Sequence, residues 1–197
     1  MGSFIVLEGI DGSGKSTACA AVAEILRSEG LDVEVTAEPT HEGIGAFIRS
    51  GAAGRISQRA ESLLFTADRY EHTASIREAV SAGRVVICDR YYASTAAYQS
   101  AKLDGDSADM AWLRGLCEPF VAEPDAVILL DMDPAVSLDR VGARGEEESK
   151  FENLPFLRQV REAYLDLADA YGFEVVDASR PAGEVLSDIL QIIREVL

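Results

Sequence analysis

The sequence predicts an α/β protein, a five-stranded parallel sheet with helices on both faces. Two observations carry that reading. Five short apolar runs, Phe4–Leu7, Val33–Thr36, Val85–Cys88, Val127–Leu130 and Phe173–Val176, alternate with stretches of helical periodicity, and such alternation gives parallel strands joined by right-handed crossovers. The first run also leads directly into Gly9-Ile10-Asp11-Gly12-Ser13-Gly14-Lys15-Ser16, a full GxxxxGKS pattern in a strand, turn, helix setting. The 197 residues contain no repeat, low-complexity tract or linker, so a single domain, 1–197, is expected, large enough to bury a core without staples.

Taken in order, the strand Phe4–Leu7 hands the chain to a turn whose glycines let several N–H groups face inward. Gly9, Ile10, Asp11, Gly12, Ser13, Gly14, Lys15, Ser16 and Thr17 are the expected ATP-binding residues, with Lys15 on the β and γ phosphates and Ser16 on Mg²⁺. The helix Lys15–Arg27 aims the positive end of its dipole at the same anion. A chance glycine turn would not hold all four fixed positions behind a strand. The architecture implied is the three-layer P-loop type, with a short lid at about 142–153.

After the second strand comes Glu38-Pro39-Thr40. Glu38 at that edge suits a general base or a sugar-hydroxyl contact, although Glu-Pro is also an ordinary way to end a strand. The segment Ser57–Ala82 reads as a long helix with Leu63, Ala67, Tyr70 and Ala74 on one face. Phe65 and Arg69, four apart, share another. That pair suits base recognition, by stacking and by donation to a carbonyl edge, while periodicity alone equally describes a core phenylalanine beside a solvated arginine.

The third strand ends in Asp89-Arg90-Tyr91-Tyr92, at the carboxyl edge where open parallel sheets bind ligands. Asp89 is a candidate for the metal and Arg90 for a phosphate clamp, against a surface ion pair as the bland alternative. Beyond the fourth strand, Arg140 and Arg144 are spaced four apart at the entry to a glycine-flanked segment, 142–150, between two helices. Lid loops have this composition, and both arginines are candidates to reach transferring phosphates, as is Lys150. The final helix, about Gly183–Leu197, carries two apolar stripes and is expected to pack deeply on the sheet.

Composition excludes several function classes. A net charge of −16 lacks the basic footprint of nonspecific nucleic-acid binding. No apolar run approaches the ~18 residues of a membrane span, and the N-terminus is not a signal peptide, so a cytoplasmic protein with no membrane partner is expected. Cys19, Cys88 and Cys117 are odd in number and widely spaced, which suggests reduced core residues rather than disulfides or zinc ligands.

In order, FIVLEGIDGSGKST, EPT, LLFTADRYEH, GRVVICDRYYASTAAYQ, PDAVILLDMDP, LDRVGARGEEESKFEN and VVDAS resemble the thymidylate kinase family over nearly the whole chain. LFxAxR together with DRYxxSxxAY is far more specific than the phosphate loop. The resemblance implies ATP and dTMP as substrates, Mg²⁺ at Ser16 and Asp89, and a homodimer. It implies that Phe65 stacks on thymine, Arg69 bonds its carbonyl, Ser94 and Thr95 meet the pyrimidine edge, and Tyr98 packs on the sugar. Arg90 would hold the acceptor phosphate and Asp11 the 3′-hydroxyl, while Asp177, Ala178 and Ser179 would border adenine. Some members carry a catalytic arginine directly after that aspartate; Gly12 stands there in this chain, which implies that Lys15 and Arg90 are joined by lid cations, Arg140 and Arg144. After Pro39 this chain departs from the family pattern, and His41 has no assigned role. Two rival readings stand beside this one: a deoxynucleoside kinase that phosphorylates a sugar hydroxyl, and a nucleotide-dependent switch without an acceptor site.

Overall fold

The computed structural model describes residues 2–101, 110–142 and 154–197. The chain runs β1 (Ser3–Glu8), α1 (Lys15–Ser28), β2 (Val33–Ala37), α2 (Gly43–Arg49), α3 (Gln58–Ser81), β3 (Val85–Asp89), α4 (Tyr92–Ser100), α5 (Met110–Cys117), β4 (Ala126–Asp131), α6 (Pro134–Gly142), α7 (Leu154–Tyr171), β5 (Glu174–Asp177) and α8 (Ala182–Val196). The five strands form one sheet in the order β2-β3-β1-β4-β5, and every pairing is parallel. The expected α/β class and strand count are borne out, and the fifth strand begins one residue later than its apolar run, at Glu174.

Successive side chains of a strand face opposite ways, and the core divides accordingly. Ile5, Leu7, Ile87, Ile128 and Leu130 pack against α1 and α8 through Val22, Leu26, Ile189 and Ile193. Phe4, Val6, Val86 and Leu129 face the other layer, under α3, α4 and α7. Central β1 is buried along its whole length, which is why it reads as an unbroken apolar run. Both stripes of α8 reach the sheet layer, Val185 and Ile189 on one and Leu190 and Ile193 on the other being buried. Cys19, Cys88 and Cys117 are buried free thiols.

The long helix α3 starts where Ser57 accepts from the Ala60 amide at 3.3 Å, an N-cap that satisfies one orphan donor. Its buried side chains include Ser62, Asp68, Arg69, His72 and Thr73, whereas Leu63 and Tyr70 stay 51 % and 59 % exposed. The apolar stripe thus faces outward in the single chain.

The strands set the site. Ala37, Asp89 and Leu7 lie side by side at the carboxyl edge of β2, β3 and β1, so the loops carrying Glu38, Arg90 and Gly9 leave the sheet next to one another. The lid expected at about 142–153 lies, from residue 143 onward, outside the described residues.

Candidate active site

The glycine loop curls because Gly9, Gly12 and Gly14 adopt φ of 145°, 78° and 96°, values that side chains resist. A Cβ on Gly9 would sit 2.7 Å from the Leu130 carbonyl oxygen, so the loop presses on β4. Gly14 is the N-cap of α1 and offers no side-chain cap, leaving the first-turn N–H groups available to an anion. Lys15 is buried and its Nζ donates to the Ile10 carbonyl at 2.9 Å. Burial and the neighbouring Arg90 bring its pKa down to about 8, against the pull of Asp11 and Asp89. Arg140 lines a cleft of about 380 Å³ with Ser13, Gly14, Thr17, Ala178 and Arg180, and its Nη1 donates to the Ala178 carbonyl at 3.3 Å. The loop, Arg140 and the turn after β5 therefore share one donor-side cleft.

A second pocket, of about 170 Å³, is lined by Asp11, Phe65, Arg69, Arg90, Thr95 and Tyr98 among others. Phe65 and Arg69 face it together, as their spacing predicts. Arg69 is 1 % exposed, so it is no solvated arginine. Its Nε donates to Glu38 Oε2 at 2.7 Å, Nη1 to Cys117 Sγ at 3.3 Å, and Nη2 to the Tyr91 carbonyl at 3.2 Å and to Thr95 Oγ1 at 2.9 Å. Four of the five guanidinium donors are thereby engaged. Glu38 Oε1 pairs with His72 Nδ1 at 3.0 Å, and His72 Nε2 meets Thr36 Oγ1 at 2.8 Å. Both oxygens of Glu38 are committed to orienting Arg69 and His72.

Arg90 holds the unusual φ of 73°, a left-handed conformation that costs a side chain energy and concentrates at functional sites. The turn is fixed from β1: the Arg90 amide donates to the Leu7 carbonyl at 2.9 Å, and Glu8 Oε1 accepts from the Tyr91 and Ser94 amides at 2.8 and 3.2 Å. So directed, the guanidinium donates to the Gly9 carbonyl at 3.3 Å, Ser94 Oγ at 3.2 Å and Asp11 Oδ1 at 2.5 Å. Burial alone would raise the Asp11 pKa, and the Arg90 and Lys15 cations bring it down to about 2. The Tyr98 hydroxyl donates to Asp11 Oδ2 at 2.9 Å, so this ring braces the carboxylate besides lining the pocket.

Adjoining the second pocket, with which it shares Asp11, Glu38, Pro39 and Arg90, lies a wider cleft containing Ser16, His41, Arg49 and Asp89. Ser16 Oγ donates to Asp89 Oδ2 at 2.5 Å, and the buried Asp89 Oδ1 has no hydrogen-bond partner among the described residues. A hydroxyl and a carboxylate with a spare oxygen are hard donors of the kind Mg²⁺ takes, so these residues fit that ion. Lys150 and Arg144 lie outside the described residues.

Sequence reasoning missed the residues that hold these groups. Glu8 is fully buried, and its Oε2 accepts from Ser94 Oγ at 2.5 Å and from the Tyr164 hydroxyl at 3.1 Å; Ser94 lines the second pocket with its hydroxyl engaged in this network. Asp68 accepts from the amide and hydroxyl of Thr40, both at 2.7 Å, and Arg49 donates to the carbonyls of Pro39 and Thr40. A charge at the end of an otherwise apolar strand was the one available signal for Glu8.

A parallel sheet with a glycine cradle at the tip of its first strand and a second pocket one strand away defines a P-loop protein built to bring two ligands together. A model of the thymidylate kinase family matches residues 7–189. The chain is 41% identical over 197 residues to the probable thymidylate kinase of Pyrobaculum calidifontis, covering 98% of this chain and 97% of that protein. It is 39% identical over 201 residues to that of Methanosarcina mazei (100% and 97%), and 41% identical over 206 residues to the thymidylate kinase of Ruegeria pomeroyi (98% and 94%). The chain belongs to the thymidylate kinase family.

Proposed function

We propose that this protein transfers the γ-phosphoryl group of ATP to dTMP, giving ADP and dTDP. The observation that carries the reading is the position of Arg90, which lines both the acceptor pocket and the adjoining cleft with Ser16 and Asp89 while bonding to Gly9 and Asp11 of the phosphate loop. A cation at that junction offsets the repulsion between donor and acceptor phosphates, the main obstacle in phosphoryl transfer. The acceptor phosphate has a second pKa of about 6 and is already a nucleophile at neutral pH, so no base is required. This agrees with Glu38, whose oxygens are both committed, and it weighs against a sugar-hydroxyl kinase.

In this reading Lys15, Arg90 and Arg140, with Arg144 as the resemblance implies, supply positive charge around the transferring group. The Gly9–Thr17 loop holds the ATP phosphates. Phe65 covers the thymine ring, Arg69 and Thr95 face its edge, and Asp11 and Tyr98 meet the sugar. Ser16 and Asp89 hold Mg²⁺, which when bound neutralises charge on the phosphate oxygens. The whole chain works as one kinase domain in the cytoplasm; among the described residues no helix is long and apolar enough to cross a membrane. Two copies pair through the outward face of α3, where Leu63 and Tyr70 are exposed as a monomer rarely leaves large apolar side chains together.

The test offers dTMP, dUMP, UMP and thymidine separately with ATP and magnesium in a coupled assay of ADP release. The expected acceptor is dTMP; phosphorylation of thymidine but not dTMP overturns the proposal, as does ADP release that no acceptor stimulates.

A further inference from the structure

The helix α6 is joined to the phosphate loop by one side chain and by a close backbone approach. It begins where Asp133 Oδ1 accepts from the Ala135 amide at 2.8 Å. One turn in, Ser137 is fully buried, and its hydroxyl donates to the carbonyl oxygen of Asp11. The same residue's carbonyl oxygen lies 2.5 Å from where a Cβ on Gly12 would be, and Val141 Cγ2 lies 3.1 Å from it. Position 12 therefore has no room for any side chain while α6 is seated.

The hydroxyl does more than fill space. A trans peptide sets its N–H antiparallel to its C=O, and the Asp11–Gly12 bond is not cis. With the Asp11 carbonyl turned toward α6 and held there by Ser137, the Gly12 N–H is turned away from α6. It belongs to the glycine loop whose amides form the anion cradle. Three residues along the helix from Ser137, Arg140 enters the donor cleft.

We propose that Ser137 is a positioning residue that couples the phosphate-binding Asp11–Gly12 peptide to the seating of α6, and through α6 to Arg140. Phosphate bound at the loop and Arg140 docked in the cleft then support each other, since such coupling is reciprocal. The kinetic part of this inference rests on the kinase reading; the ATP-binding part does not.

Ser137→Ala removes the hydroxyl with little change in volume. The loss of one buried hydrogen bond predicts ATP affinity, measured by calorimetry without acceptor, weaker by about 3- to 10-fold. In steady state kcat falls by a similar factor while the KM for dTMP stays within about twofold, because the Asp11 carboxylate that lines the acceptor pocket keeps its own partners, Arg90 and Tyr98. Combined with Arg140→Ala, the two losses of ATP affinity are less than multiplicative, the signature of groups acting through one another. A role in packing alone would lower the melting temperature and leave ATP affinity intact. Gly12→Ala, which drives a methyl into the Ser137 carbonyl, should reproduce the phenotype with Ser137 present and serves if Ser137→Ala does not fold. ATP affinity of Ser137→Ala within twofold of the parent, or fully multiplicative effects in the double variant, overturns the proposal. A parent enzyme that binds ATP but ignores dTMP would instead sink the kinase reading, leaving the calorimetric comparison valid.

Discussion

Replacing Glu38 by alanine leaves the Arg69 guanidinium inside the protein without its counter-charge. Arg69 is 1 % exposed and Glu38 4 %, and the surviving partners, the Tyr91 carbonyl, Thr95 and Cys117, are all neutral acceptors. Burial by itself lowers the Arg69 pKa, yet the Glu38 carboxylate beside it holds that pKa above the ordinary arginine value, a sign that the pair is tightly matched. Breaking such a buried pair from one side costs about 3–5 kcal/mol. For a chain of this length each kcal/mol moves the melting temperature by about 2–4 °C, so the expected drop is about 6–20 °C. Removing both charges, in Glu38→Ala/Arg69→Met, takes away the uncompensated ion and should recover part of that loss. The readouts are calorimetric melting and urea unfolding of the single and double variants, with the KM for dTMP as the functional counterpart, which should rise in both. A single variant that melts within about 3 °C of the parent, or a double variant no more stable than the single, would refute the argument that charge pairing orients Arg69.

Two further outcomes follow from groups already placed. Lys15 has a folded pKa of about 8 against an ordinary value of 10.5, so the folded chain sheds this proton first and stability contributed by Lys15 rises as pH climbs from about 8 to 10.5. ATP favours the ammonium form, so calorimetry from pH 7 to 9.5 should show affinity falling above about pH 8 with proton uptake on binding; a flat profile without uptake removes Lys15 from the phosphate site. If two copies pair as proposed, charges placed on the outward face of α3, as in Leu63→Glu/Tyr70→Glu, should give monomers in sedimentation while leaving the chain folded, and a parent chain already monomeric at micromolar concentration would overturn the pairing surface.

The strands β1, β3 and β4 were legible as uninterrupted apolar runs, and the edge strands β2 and β5 as shorter runs broken once each, by Glu34 and Glu174; the ends of α1, α3 and α8 fall within a residue or two of their periodic segments. Phe65 and Arg69 were legible as a pair for the same reason, since helical spacing fixes relative direction. It does not fix which face is buried. In α3 the polar face with Asp68, Arg69, His72 and Thr73 turns inward, because Arg69 lines a pocket and the four are satisfied by Glu38, Thr40 and Tyr91. Ser137 with Asp11 and Glu8 with Tyr164 left no local trace: the partners stand 126 and 156 residues apart, and only the closed sheet brings them together. Arg140 was expected among the phosphates on spacing, and its partner in the structure is a carbonyl of the turn after β5, a contact that the spacing of arginines does not encode.

The two strands that carry the phosphate loop and Arg90 are immediate neighbours, with Leu7 of β1 opposite Asp89 of β3. Neighbouring strands lie about 4.8 Å apart, and that spacing is fixed by backbone hydrogen bonds rather than by side chains. The gap across which a phosphoryl group must pass is therefore gauged by the sheet itself, like the fixed jaws of a caliper. The helices packed on either face add side chains to the site, but the separation of the two loops is set by the pairing of β1 with β3.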